Sequence, residues 1–108
     1  MSQNSYLKQN EKIVVKIDAD LEDLIPEYLE NRRADIKSIE EAINKEDFEA
    51  IRILGHSMKG SGGGYGFDVI SEIGGIIEAA AKENNSDEIK KQNEKLVSYL
   101  YRVEVVYE

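Results

Sequence analysis

The chain has 108 residues, of which 41% are hydrophobic and 33% charged, a composition typical of one soluble globular domain. It contains no cysteine, which excludes a disulfide framework and a thiolate metal site. The net charge of −8 argues against nucleic acid and anionic membranes as partners, because both bind basic surfaces. The polar N-terminus lacks a signal-peptide core, and no apolar run approaches the ~20 residues of a membrane span, so we expect a cytoplasmic protein.

The N-terminal part, residues 1–17, is predicted to be an arm that precedes a domain over 18–108. Its segment Ile13–Ile17 is β-branched and strand-like. We find no second strand pattern to pair with it, and a lone strand is not stable. We therefore expect this segment to lie extended, or as a short helical turn, across the rest of the protein.

Four amphipathic helices are predicted after the arm. The first covers about 20–44, with Asp18 or Asp20 as a cap and Pro26 near its first turn, where the missing N–H is harmless. The second starts after the N-cap Asp47 and ends in the glycines 63–66. Its apolar side chains recur every three or four residues. They are Phe48, Ile51, Leu54, Met58 and Tyr65, with Gly62 in the same stripe.

The third helix is predicted to begin at Phe67–Asp68, with Gly74 and Gly75 inside it. Small residues there allow a neighbouring helix to approach closely. Ser86 is the expected cap of the fourth helix, and the β-branched stretch 103–106 indicates that its end frays. Short connections make consecutive helices antiparallel, so the predicted fold is an all-α, up-down-up-down four-helix bundle.

The stretch 51–67 holds the only histidine, His56, and six of the eight glycines. On a wheel of 100° per residue, His56 lies about 160° from the centre of the apolar stripe, so it faces solvent. Arg52 and Lys59 lie one turn away on either side. Gly60 and Gly63 share this face and remove bulk from around the imidazole, which would let a docking partner come within bonding distance.

Three reactive roles are open to an exposed histidine. A metal site needs three or four ligands, and one histidine without cysteine gives poor support for it. A general acid or base needs a cleft and a second tuned group, which an outer helix face does not offer. Nucleophilic catalysis remains, with Lys59, and secondarily Arg52, to offset phosphoryl charge. Nucleotide binding is disfavoured because the glycine spacing fits neither phosphate-binding loop.

The run H-S-M-K-G-S-G-G-G-Y-G, from His56 to Gly66, resembles the signature of histidine-containing phosphotransfer (HPt) domains. That signature is His, any residue, an apolar residue, Lys and Gly, followed by a glycine ten residues after the histidine. The likeness covers about residues 20–104 and includes the lead-in from Asp47 and the run from Ile76, where the family has an apolar–Glu pair.

The resemblance implies that Nε2 of His56 accepts a phosphoryl group from an aspartyl-phosphate receiver domain and passes it to another receiver. Lys59 would stabilise the phosphoryl group and Gly60 would permit close docking. The expected partners are response-regulator receivers and a hybrid histidine kinase. The chain would be a monomeric carrier without its own kinase domain or cofactor, since the receiver holds the Mg²⁺. The alternative is a helical binding module that docks a receiver or kinase without being phosphorylated.

Overall fold

A computed structural model describes residues 11–108. They form strand β1 (Ile13–Ile17), helices α1 (Ile25–Asn44), α2 (Phe48–Gly62), α3 (Asp68–Lys82) and α4 (Ser86–Arg102), and strand β2 (Val103–Tyr107). Short 3₁₀ turns occupy Ala19–Leu21 and Gly63–Tyr65. The four helices pack as the predicted all-α bundle, and each is followed by a connection of a few residues or by a strand.

The first two helices begin where their local chemistry predicts. Pro26 stands in the first turn of α1, where a helix needs no N–H from it. The carboxylate of Asp47 caps α2 by accepting a hydrogen bond of 3.1 Å from the N–H of Ala50. Asp18 caps the 3₁₀ turn instead of α1, with 2.9 Å between its Oδ1 and the N of Asp20. The predicted start at residue 20 is therefore too early by one short turn.

The glycines that end α2 make one sharp change of direction. Gly66 has a φ of 96°, in the left-handed region that glycine adopts without a steric penalty. The next residue, Phe67, is fully buried, and α3 begins immediately after it as predicted. The cap of α4 is Asn85 instead of the predicted Ser86, because the Asn85 Oδ1 accepts from the N of Glu88 at 3.2 Å.

The two strands correct the prediction for both ends of the chain. β1 pairs with β2 in parallel, from Ile13 opposite Val103 to Ile17 opposite Tyr107. The stretch 103–107 is therefore not a frayed helix end, and β1 has the partner strand that the sequence pattern did not reveal. Burial alternates along both strands, so one face of this two-stranded ribbon packs on the bundle and the other faces water. Predictions for residues 1–10 lie outside the described residues.

The core is formed by the inward stripes of all four helices and by the last residue of β1. Its side chains are mostly isoleucine and leucine, as the periodicity predicts. The most completely buried large side chains are Ile25, Ile39, Ile51, Met58, Phe67, Ile70, Ile77, Ile89 and Leu96. Tyr28 stacks on Tyr65 and Phe67, with ring centroids 4.4 and 5.9 Å apart, and joins α1 to the turn after α2.

The ribbon provides a test of its packing against the bundle. Ile17 is 2% exposed and lies against Gly66, whereas Val14 is 56% exposed on the other face of the same strand. We expect Ile17→Ala to lower the free energy of unfolding by about 2–5 kcal/mol, the usual cost of such a cavity. Val14→Ala should change it by no more than about 0.5 kcal/mol. Urea unfolding measures both, and equal losses would contradict the assigned faces.

Candidate functional site

The histidine-bearing helix α2 and helix α3 approach each other closely enough for their backbones to touch. A Cβ at Gly55 would lie 2.7 Å from the N of Glu78, and one at Gly74 would lie 2.5 Å from the N of Lys59. Real Cβ atoms do not come this near to backbone, so only glycine fits at these two positions. The prediction that small residues allow close helix packing is confirmed for Gly74, and Gly55 is its counterpart on α2.

A serine hydroxyl joins the same two helices near the end of α2. The Oγ of Ser71, in α3, accepts a hydrogen bond of 2.7 Å from the N–H of Gly63 and donates one of 3.0 Å to the carbonyl of Lys59. The Lys59 carbonyl is one of the last four of α2, which the end of a helix leaves without an intrahelical partner. Ser71 therefore holds the last turn of α2 against the first turns of α3.

His56 points away from the core, as its helical phase predicts. Its side chain is 70% exposed, although its neighbour Gly55 is buried against α3. The imidazole lies over the junction between the two helices. In this position the imidazole contacts a carboxylate of α3 that lies between the ring and the helix junction.

That carboxylate is Glu78, which is only 10% exposed. Its Oε2 lies 2.9 Å from Nδ1 of His56, and its Oε1 lies 3.5 Å from Nζ of Lys59. A buried carboxylate is costly unless it is hydrogen-bonded or paired with a positive charge, and here it has both kinds of partner. Glu78 thus connects the imidazole and the ammonium group.

The hydrogen bond from His56 lowers the pKa of the Glu78 carboxyl below its usual 4.5, and the charge of Lys59 acts in the same direction against the effect of burial. Glu78 is therefore ionised at neutral pH and accepts a hydrogen bond from Nδ1–H. In the neutral imidazole this leaves the lone pair on Nε2, the ring nitrogen that is not bound to Glu78. The arrangement presents a nucleophilic nitrogen to solvent with its orientation held from behind.

The two predicted cations occupy different positions. Lys59 is 58% exposed and reaches Glu78, so its ammonium group lies on the same side of the imidazole as the carboxylate. Arg52 instead forms two hydrogen bonds of 3.0 and 2.6 Å with Glu49, one turn earlier on α2. Lys59 and His56 thus contact the same carboxylate, that of Glu78. Arg52 lies on the same face of α2 but forms a separate ion pair.

The two predicted docking glycines also differ. A Cβ at Gly60 would meet no atom within 4 Å, so the surface beside His56 is open there. A Cβ at Gly63 would come within 3.5 Å of the Ser71 hydroxyl, and the N–H of Gly63 is bound to that hydroxyl. Gly60 is thus bare backbone facing solvent, whereas Gly63 belongs to the contact between α2 and α3.

Among residues 11–108, no group of three or more histidine or acidic side chains is placed to hold a metal ion. None of the helices in this part of the chain combines the length and apolar character that crossing a bilayer requires.

Comparison with family models identifies the family of this chain. The model described as "Hpt domain" matches residues 23–104, about three quarters of the chain. The chain belongs to the Hpt domain family. Membership indicates a general role in two-component phosphorelay signalling. Proteins of this family are phosphotransfer carriers that interact with response-regulator receivers. No curated protein and no solved structure gave a significant match.

Glu78 is the site residue of this Hpt domain that sequence reasoning missed. The run from Ile76 contributed to the family resemblance, but its carboxylate was not assigned to the site. A signal was present, because Glu78 shares its helix face with Gly74 and Ala81, which belong to the predicted inward stripe and are buried in the structure. A lone acid beside an apolar stripe needs a partner from another element. Ser71 carried no such signal.

The glycines of this Hpt domain give a matched pair of substitutions. Gly74→Ala places a Cβ against the backbone of α2, so we expect a loss of about 1–3 kcal/mol in the free energy of unfolding, as for other overpacked sites. Gly60→Ala meets open space, so the higher helix propensity of alanine should stabilise the fold by up to about 1 kcal/mol. Urea unfolding measures both, and the same sign for the two changes would contradict the assigned contact.

The lowered pKa of Glu78 gives a pH-dependent prediction. A carboxyl whose pKa is lower in the folded state stabilises the protein above its unfolded pKa, and this stability is lost as the pH falls through the folded value. The stability difference between wild type and Glu78→Gln should therefore be present at neutral pH and shrink as the pH falls below 4.5. Unfolding titrations at several pH values measure it.

The matched control for this titration is Glu72→Gln, which removes one negative charge from an exposed position of the same helix. If both variants lose the same stability at every pH, the pairing of Glu78 with His56 and Lys59 does not contribute to the fold.

Proposed function

We propose that this Hpt domain is a cytoplasmic phosphorelay intermediate, phosphorylated on Nε2 of His56 by an aspartyl-phosphate receiver and dephosphorylated by another. One observation supports this above the rest. The only histidine of the chain is exposed, yet a buried carboxylate binds its Nδ1 and leaves the outward nitrogen free. A histidine exposed by chance would not be expected to have such a partner below it.

The proposed step is an in-line displacement at phosphorus. The lone pair of Nε2 attacks, the N–P bond forms, and the P–O bond to the aspartyl carboxylate breaks with its electron pair returning to that carboxylate. The positive charge that develops on the ring is offset by Glu78, which accepts from Nδ1–H at 2.9 Å throughout. The same step in reverse delivers the phosphoryl group to an aspartate of the next receiver.

Lys59 and Gly60 support the approach of the partner. The Lys59 ammonium group is exposed and lies one turn from His56, where it can turn towards phosphoryl oxygens and offset their charge. Gly60 offers bare backbone on the same face, so the receiver's active-site loops can come within bonding distance of Nε2. Arg52 lies at the rim of this surface, where its charge is paired with that of Glu49.

The proposal assigns the remaining machinery to the partners. The phosphoryl group enters the relay from a hybrid histidine kinase through its receiver domain, and the receivers hold the Mg²⁺ that neutralises phosphoryl charge. The chain contributes the nucleophile, its orientation and a nearby cation. It acts as a carrier and not as a kinase, as is usual in its family.

The test is transfer of radiolabelled phosphate from a phosphorylated receiver in the presence of Mg²⁺. We expect wild type to take up label that is lost in acid and kept in base, as a phosphorus–nitrogen bond requires. His56→Gln should take up none, while its circular dichroism remains that of wild type because the side chain is exposed. Equal label on both proteins would refute the assignment of His56.

A binding module without phosphotransfer would give a different result. Wild type and His56→Gln would then bind the phosphorylated receiver equally, and neither would take up label. Calorimetry of receiver binding by the same two proteins completes the test. If the receiver chosen is not a partner of this protein, neither wild type nor His56→Gln will bind it.

A further inference from the structure

A second surface lies on the side of α3 away from Glu78. It is a groove of about 350 Å³ between α3 and α4, closed at one end by β1. Its lining is mainly apolar, with Ile13, Ile73 and Tyr99 below and Val69 and Ile76 on the α3 wall. Val69 and Ile76 remain 38% and 42% exposed, so the groove is an unfilled apolar surface of the bundle.

The two walls of the groove carry opposite charges. Glu72 stands on the α3 wall between Val69 and Ile76, and Lys95 stands near the middle of the α4 wall. Both are exposed, and neither is part of a salt bridge within residues 11–108. Arg102 is a second cation of the α4 wall, and it donates a hydrogen bond of 2.8 Å to the carbonyl of Glu11. Glu72 lies ten residues before the end of α3 and Lys95 nine residues after the start of α4, so the two stand at similar heights on these antiparallel helices.

We propose that this groove binds the same groove of a second copy of the chain. A two-fold axis along the groove lays the α3 wall of each copy over the α4 wall of the other, so that each Glu72 faces the Lys95 of the second copy. The same operation packs Val69 and Ile76 over the opposing groove. The surface is therefore complementary to itself in charge, because a negative α3 wall lies over a positive α4 wall, as a symmetric interface requires.

The proposed interface leaves the phosphotransfer site free. On a wheel of 100° per residue, Ile76 lies about 160° and Val69 about 180° from Glu78, so groove and site are on opposite sides of α3. His56 is thus accessible in both copies. The proposal does not depend on the proposed function, and it replaces the sequence-based expectation of a monomer with a reversible dimer.

The size of the groove sets the expected strength. Two exposed apolar side chains per copy and two charge pairs per dimer form a small patch compared with the roughly 1,200–2,000 Å² of a stable interface. The dimer is therefore weak and concentration-dependent, and it would be detected by sedimentation equilibrium over a series that reaches about 1 mM.

Charge-reversal variants test the pairing. Glu72→Lys alone and Lys95→Glu alone each place like charges together twice per dimer, and we expect each to weaken dimerisation at least about tenfold, or ~1.4 kcal/mol. The double variant Glu72→Lys/Lys95→Glu restores opposite charges and should recover most of the affinity. Ile76→Asp should abolish the dimer. The three positions changed, 72, 76 and 95, all carry exposed side chains, so the fold is retained and circular dichroism verifies this.

The matched control is Glu94→Lys, which makes the same charge change on an exposed part of α4 outside the groove. It should leave the dimer intact. The proposal is overturned if wild type sediments as a monomer throughout the series, if Glu94→Lys weakens the dimer as much as Glu72→Lys, or if the double variant fails to recover. Receiver binding by the same variants should equal that of wild type, because the groove lies away from His56.

Discussion

The close approach of α2 and α3 is the constraint on which the site depends. The backbones meet at Gly55 and Gly74, where a single added carbon would lie 2.5–2.8 Å from atoms of the other helix. At this separation, Glu78 can reach Nδ1 of the histidine that follows Gly55. If the helices were farther apart, the carboxylate would not reach the imidazole. Gly55 and Gly74 therefore determine the geometry of the site formed by His56, Lys59 and Glu78.

This constraint also explains why the nucleophile can be exposed and still be oriented. An exposed histidine on a helix normally samples several side-chain rotamers. Here the buried Glu78 accepts a hydrogen bond from below and is itself held near Lys59. The burial of the carboxylate strengthens the interaction, because water competes less for its oxygens. The exposed imidazole of His56 is therefore accessible to a partner, and the buried Glu78 fixes its orientation through one hydrogen bond.

The local features of the fold could be predicted from the sequence, because they depend on helical periodicity and on caps. Thus the starts of α2 and α3, the cap at Asp47 and the outward phase of His56 all follow from residues within a few positions of each other. The start of α1 and the cap of α4 were each misplaced, by five residues and by one. The strand pair was missed because its two halves are 90 residues apart and β2 continues directly from a helical pattern. Glu78 was missed as a site residue for a related reason. Its partner is set by the offset between two helices, which no local pattern encodes.

The pairing of β1 with β2 has a consequence for how the chain folds. Each pair in the ribbon joins residues 90 positions apart, so its formation closes nearly the whole chain into a loop. Closing such a loop in an unfolded chain costs roughly 4 kcal/mol of entropy, far more than five residue pairs of an isolated ribbon can offset. The helices, whose contacts are local, form and dock first, and they bring the two strands together. We therefore expect the ribbon to be the last element to assemble, because its hydrogen bonds need the helices between the two strands to be docked first.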